Sequence, residues 1–182
     1  MKILPTLTTP RLLLRAFTFE DAPEVQRLAG EREVASTTLG IPHPYENGMA
    51  EQWISTHREK FEQGQEIIFA LELRSDRTLV GAIDLRLKTA HDRAEIGYWV
   101  GKPHWNRGYC TEAAAALLAY GFETLGLNRI MAHHLSRNPA SGRVMQKIGM
   151  RHEGRLRQHT KKWEVYEDIE IYGILRSEYL TQ

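Results

Sequence analysis

Cysteine is almost missing from this 182-residue chain, with Cys110 standing alone. A lone thiol excludes an internal disulfide and fits a reducing compartment. Long apolar runs are missing too. No stretch approaches the ~20 uninterrupted apolar residues that a membrane-crossing helix needs. The N-terminal "MKILPTLTTPR" lacks the apolar core of a secretory signal, so a cytoplasmic protein with no membrane partner is expected. An excess of one charge is also absent. Lys and Arg number 24, Asp and Glu 23, for a net charge of +1. That near-balance excludes the strong positive field of a typical nucleic-acid binder. Neither G-x-x-x-x-G-K-[ST] nor G-x-G-x-x-G occurs, which excludes the two common nucleotide-phosphate loops. There is no internal repeat and no low-complexity tract.

What the chain does have is core material. Apolar residues make up 42% and charged residues 26%, at a length that suits one domain over 1–182. "RLLLRAF" (11–17) reads as a short buried strand. "TFEDAPEVQRLAG" reads as a helix with Thr18 at its N-cap, Asp21 three residues on, and Gly30 at its stop. Residues 31–46, with Pro42 and Pro44, read as a flexible connection. Met49, Trp53, His57 and Phe61 fall four apart and predict a second helix over 47–64. The period then shortens, and 66–73, 79–87 and 94–101 read as three consecutive strands whose short links make them antiparallel neighbours. A helix at about 109–125, a strand at 129–135 and a helix from Pro139 to Gly149 follow, the first strand-helix-strand passage being a parallel crossover. Met150 to Leu175 reads as a final hairpin. The class is α+β with a mixed sheet.

The most informative stretch is "HWNRGYCTEAAAALLAYGF" (104–122). Ala114, Leu118, Phe122 and Leu125 share one helical face, whereas Asn106, Arg107 and Gly108 make a turn. A glycine where a helix starts lets a ligand approach main-chain N–H groups, which favour anions. With the two nucleotide loops excluded, a pyrophosphate held by the N–H groups of Arg107 to Cys110 remains. The strand "IGYWVG" leads straight into that turn.

These residues resemble the GCN5-related N-acetyltransferases, and within them the ribosomal-protein N-terminal acetyltransferases. The superfamily turn Q/R-x-x-G-x-G/A is read here as Trp105-Asn106-Arg107-Gly108-Tyr109-Cys110. The first position is Trp and the last is Cys, which is small enough to keep the close backbone approach. "LTTPRLLLR", "VGAIDL", "EIGYWV", "NPASGRVMQKIGM" and "EGRLR…D…Y" extend the resemblance over almost the whole chain. It implies a mixed, mostly antiparallel, twisted sheet of six to seven strands with about four helices, its central strands splayed around acetyl-CoA. It implies that Tyr98, Trp99 and Val100 line the pantetheine arm, a backbone N–H there polarising the thioester carbonyl. Arg107, Gly108, Tyr109, Cys110 and Thr111 would hold the pyrophosphate, and Asn138 would reach the pantetheine amide. Ser141 would give a proton to the leaving thiolate.

Acetyl transfer needs a neutral amine. At pH 7 deprotonation costs about 4.6 kcal/mol for a lysine side chain and about 1.4 kcal/mol for an α-amine. Glu95 is the candidate base, acting directly or through water, because "AEI" resembles histone-acetylating relatives in which this Glu does that work. Glu112 on the first helical turn and His104 before the phosphate turn are the other candidates. Ser141 and Asn138 also suit plain helix-start and turn roles. No metal is expected. Cys110 reads as a packing residue, and the adjacent His133 and His134 point to opposite strand faces and cannot share a metal. The basic run 151–163 reads as a solvated hairpin with alternating charges. The expected acceptor is a protein N-terminal α-amine, held between residues 31–61 and the last hairpin. A small amine such as a polyamine, amino acid or aminoglycoside is the enzymatic alternative. A non-catalytic module binding CoA or RNA is the alternative of another class. A homodimer is compatible with the resemblance.

Overall fold

The computed structural model describes residues 3–181. Its strands are β1 (Leu7–Thr8), β2 (Leu12–Arg15), β3 (Glu66–Leu73), β4 (Leu79–Lys88), β5 (Arg93–Val100), β6 (Arg129–Leu135), β7 (Arg151–Lys162) and β8 (Val165–Leu175). They form one sheet in the order β1-β2-β3-β4-β5-β6-β8-β7. Among the described residues only β5 and β6 pair in parallel; every other neighbour is antiparallel. The helices are α1 (Ala22–Ala29), α2 (Arg32–Thr37), α3 (Met49–Ser55), α4 (His57–Glu62), α5 (Tyr109–Ala119), α6 (Pro139–Lys147) and α7 (Arg176–Tyr179).

Two apolar layers hold these elements. On one face Phe69, Ile83, Leu85 and Ile130 pack against Leu117, Leu118 and Phe122 of the α5 segment, all buried. On the other, Ala22, Val25, Ala29, Ala50 and Ile54 of α1 and α3 pack against Ala70 and Leu79. Strand β3 is therefore buried on both faces, which explains its unbroken apolar run "IIFAL". Each large side chain fully buried this way contributes about 1.5–3 kcal/mol.

One topological fact positions the site. The parallel pairing of β5 with β6 lasts only through Arg93↔Arg129, Ala94↔Ile130 and Glu95↔Met131. Beyond it, β5 stays with β4 as far as Val100, and β6 stays with β8 as far as Leu135. The sheet parts there.

The structure differs from the sequence reading in several places, beginning with seven α-helices among the described residues where about four were expected. The sheet has eight strands rather than six or seven, because two-residue β1 folds back on β2. The connection 31–46 contains α2, whose Val34 and Ala35 are buried. The helix expected over 47–64 is two, α3 and α4. At the joint, Thr56 Oγ1 donates to the Trp53 carbonyl at 2.8 Å and competes with the helical ladder. The long helix also changes pitch, and Tyr120–Thr124 forms a π turn. Gly121 packs there so tightly that a Cβ would stand 2.6 Å from Ile130 Cδ1.

Candidate active site

A cavity of about 1060 Å³ opens where the sheet parts. Glu95, Tyr98, Trp99, Val100, Gly108, Tyr109, Cys110, Thr111, Asn138 and Ser141 all line it, and so does His104. Arg107 does not, and its side chain is exposed. Residues 34–60 wall the other end, with Val34, Ile41, Trp53 and Lys60 among them. The last hairpin braces that wall from behind. Lys162 Nζ donates to the Ile41 carbonyl at 2.8 Å, and Arg137 joins Glu167 to the Ser36 carbonyl. Along β7 and β8 Arg155 pairs with Asp168 and His152 with Glu170.

At the turn before α5, Gly108 is the N-cap, with φ +80°. No side chain caps this helix, so the N–H groups of its first turn have no partner within it. The turn is latched from outside. Arg11 Nη1 donates to the Arg107 carbonyl at 2.8 Å, and the guanidinium lies 4.9 Å from the centre of the Tyr109 ring. Glu112 completes the latch, accepting from Thr9 Oγ1 (2.6 Å), Arg11 N (2.8 Å) and Arg11 Nε (2.6 Å). Against the upward push of burial, these bonds hold its carboxyl below the usual range. Burial pushes the Cys110 thiol up to about 12, consistent with a packing role and not a thiolate. Burial, with Arg107 and Arg27 nearby, lowers His104 below its ordinary value.

The free edge of β5 supplies the next part. Gly101 N donates to the Val80 carbonyl at 2.9 Å, which fixes the phase of the β4–β5 ladder. Main-chain groups of Glu95, Gly97 and Trp99 consequently pair with β4, and those of Ile96, Tyr98 and Val100 point to the β6 side, where the Ile96 N–H still closes the ladder on Met131 and the groups beyond it face the gap. Trp105 Nε1 donates to the Val100 carbonyl at 2.6 Å and closes the upper end of this edge. Across the gap stands α6. Tyr98 reaches it, its hydroxyl donating to the Ser141 carbonyl at 3.1 Å and lying 2.9 Å from Ser141 Oγ. Burial raises the Tyr98 phenol above its ordinary value.

The opposite face of the sheet carries a polar row. Glu66, Asp84, Arg86, Glu95 and His133 come from four adjacent strands and line the same cavity. His133 Nδ1 lies 2.9 Å and Arg86 Nη2 3.4 Å from Glu95 Oε1. Hydrogen bonding from His133, together with the Arg86 charge, holds Glu95 below the usual carboxylate range despite burial. Asp84 behaves oppositely. Burial pushes its carboxyl up to about 6 against the attraction of Arg86, whose Nε donates to Oδ1 at 3.0 Å. His134 points the other way, its ring against Tyr172.

Sequence reasoning missed Asp84, Arg86, His133, Ile96, Arg11 and the Tyr98 side chain. The signal for Asp84 was a charge inside the apolar strand "LVGAIDLRL".

Residues 11–151 match the acetyltransferase (GNAT) domain family. The chain belongs to that family. It is 33% identical to YoaA of Bacillus subtilis, an uncharacterized N-acetyltransferase, over 96% of this chain and 98% of that one. It is 30% identical to the ribosomal-protein-serine acetyltransferase of Escherichia coli over 52% of this chain and 54% of that one. Its fold matches a GNAT-family acetyltransferase from Bacillus anthracis with a TM-score of 0.84 at 29% identity, covering 95% of this chain and 99% of that one. A spermidine N-acetyltransferase from Vibrio cholerae, solved with CoA and spermine, matches with a TM-score of 0.81 at 24% identity, over 94% and 99% of the chains.

The chain is therefore an N-acetyltransferase, and its family uses acetyl-CoA. The residues present fit that group. The uncapped α5 N-terminus under a side-chain-free Gly108 suits a diphosphate. The groups left free along this edge, the Ile96 carbonyl, both main-chain groups of Tyr98 and the Val100 N–H, suit an extended amide-bearing arm.

Proposed function

We propose that this enzyme acetylates the N-terminal α-amine of a protein, a ribosomal protein being the acceptor suggested by its relatives. Acetyl-CoA supplies the activated acyl group. Main-chain N–H groups of Gly108 to Thr111 hold its diphosphate, and the Ile96–Val100 edge aligns its arm, with Asn138 facing them from α6. The Ser141 hydroxyl gives a proton to the departing sulfur. The carboxylates of the polar row receive the acceptor's ammonium group.

The observation that carries this reading is the charge balance of that row. Glu66 is paired with Lys60 at 2.7 Å, Asp84 with Arg86, and Glu95 with Arg86 and His133. Lys60 and Arg86 are two fixed cations against three carboxylates, which leaves the wall one charge for an acceptor. That offers little to a polycation and suits a single α-amine, which needs only one near-neutral base. The E. coli relative named for ribosomal-protein serine supports the same acceptor class.

A mass-spectrometric screen tests it. The enzyme is incubated with acetyl-CoA and three acceptor sets: peptides with free N-termini, N-terminally blocked peptides containing lysine, and spermidine or spermine. Acetylation confined to free N-termini is expected. Acetylation of polyamines or lysine side chains in preference to them overturns the reading.

A further inference from the structure

We propose that Asp84 is the residue that takes the proton from the acceptor ammonium, and that Glu95 is a positioning residue acting through Arg86 and His133. The inference rests on the acetyl-transfer reading above and refines its base.

Register is the first reason. Asp84 lies directly opposite Gly97, and Arg86 directly opposite Glu95. Glu95 is still inside the closed part of the sheet, level with Met131 in the last parallel pair. Gly97 is past it, between Ile96 and Tyr98, whose main-chain groups face the gap. The carboxylate of Asp84 thus stands where the sheet opens, and that of Glu95 one step behind.

Space is the second. Gly97 has no side chain to cover the opening, and the Asp84–Arg86 pair lies over it. A Cβ on Gly97 would stand 2.6 Å from Asp84 Oδ2 and 2.6 Å from Arg86 Nη2. The bare glycine brings a carboxylate of β4 over the backbone of β5, beside the edge assigned to the thioester. Asp84 keeps a quarter of its side-chain surface open, so an incoming amine can reach it.

Proton affinity is the third. Glu95 sits between His133 and Arg86, which favour its charged form. Asp84 has one cationic partner, Arg86 on its own strand. It faces two further carboxylates, Glu66 of β3 and Glu95 of β5, with Lys60 of α4 beyond the first and His133 of β6 beyond the second. Burial and these like charges bring it towards neutrality, where a general base is most effective.

The step balances. The ammonium gives one proton to Asp84, which later passes it to solvent. The freed lone pair forms the C–N bond as the C–S bond breaks. The second proton shed by nitrogen matches the one the sulfur gains through Ser141.

The test compares wild type, Asp84→Asn, Asp84→Glu and Glu95→Gln. Thiol release is followed from pH 5.5 to 9 with saturating acetyl-CoA and a peptide bearing a free N-terminus, and acetyl-CoA affinity is measured by titration. Wild type is expected to lose kcat below an apparent pKa near 6. Asp84→Asn should lower kcat about 100-fold, lose that acid limb and bind acetyl-CoA normally. Asp84→Glu should recover part of the rate. Glu95→Gln should lose less than about tenfold. It should keep the limb but move it to lower pH, because one of the like charges raising Asp84 is gone. An Asp84→Asn enzyme that keeps the limb, or a Glu95→Gln enzyme that loses it, overturns the assignment. A wild-type enzyme that binds acetyl-CoA but acetylates no amine would instead overturn the acetyl-transfer reading, before any variant is made.

Discussion

The hydroxyls of Tyr98 and Ser141 lie 2.9 Å apart, joining the free edge of β5 to the first turn of α6. This pair crosses the gap assigned to the thioester. Ser141→Ala should lower kcat about 100-fold and leave acetyl-CoA affinity intact, because proton transfer to the leaving sulfur is lost. Tyr98→Phe should lower kcat by less, since it removes only the partner that orients Ser141. Steady-state kinetics with direct titration of acetyl-CoA separates the effects. An unchanged kcat in Ser141→Ala would return that serine to a helix-start role.

Glu112 is a latch in this structure, with both carboxylate oxygens engaged by Thr9 and Arg11. Its three bonds to Thr9 and Arg11 tie the N-terminal segment to the helix assigned to the diphosphate. Bonds to charged groups are worth about 1.5–3 kcal/mol each. Glu112→Ala should therefore lower Tm and raise KM for acetyl-CoA about tenfold. Its kcat at saturation and its pH profile should stay those of wild type. A lost acid limb in this variant would restore Glu112 as a base.

Much of this arrangement was legible in the sequence. β6 runs over Arg129–Leu135 as its periodicity indicated, and β3 over Glu66–Leu73, because apolar runs bounded by turns read clearly. The turn at Gly108 and the start of α5 were legible because glycine before a long apolar helix has a local cause. The six-residue α2 was not legible, being too short to show a period. Asp84 and Arg86 alternate with Ile83, Leu85 and Leu87, a pattern that reads as a solvated strand face. Only the neighbours on β3 and β5 turn that face into a cavity wall. The Tyr98–Ser141 pair joins residues far apart in sequence, and no local pattern encodes such a contact.

Gly108 makes a further test of the turn. Its φ of +80° strains any L side chain, and a Cβ there would stand 3.4 Å from Arg11 Nη2. Gly108→Val should weaken acetyl-CoA binding at least about 100-fold, with backbone strain of about 1–3 kcal/mol shown as a modest fall in Tm. Calorimetric titration and thermal melting check both. Wild-type affinity in this variant would remove the turn from the cofactor site.

Acid sensitivity should trace to His57. Its ring lies 4.4 Å from Trp53 and 5.4 Å from Phe17, centre to centre, and neither ring nitrogen has a partner. Burial, aided by Lys60, pushes it down to about 4. As pH falls from 6.5 the unfolded chain takes up the proton first. The fold then loses stability as pH falls through 4, by about 3 kcal/mol. His57→Phe keeps the aromatic contact and has nothing to titrate. The difference in Tm between pH 7 and pH 4.5 should be smaller in the variant than in wild type. Equal differences would contradict the buried neutral imidazole.

The most direct measurement is a crystal structure with CoA bound. Its diphosphate oxygens should accept from main-chain N–H groups between Gly108 and Thr111, and its arm should run along the edge of Ile96, Tyr98 and Val100. A diphosphate seated away from the α5 N-terminus, or an arm outside the gap between β5 and β6, would contradict the assignment of this cleft.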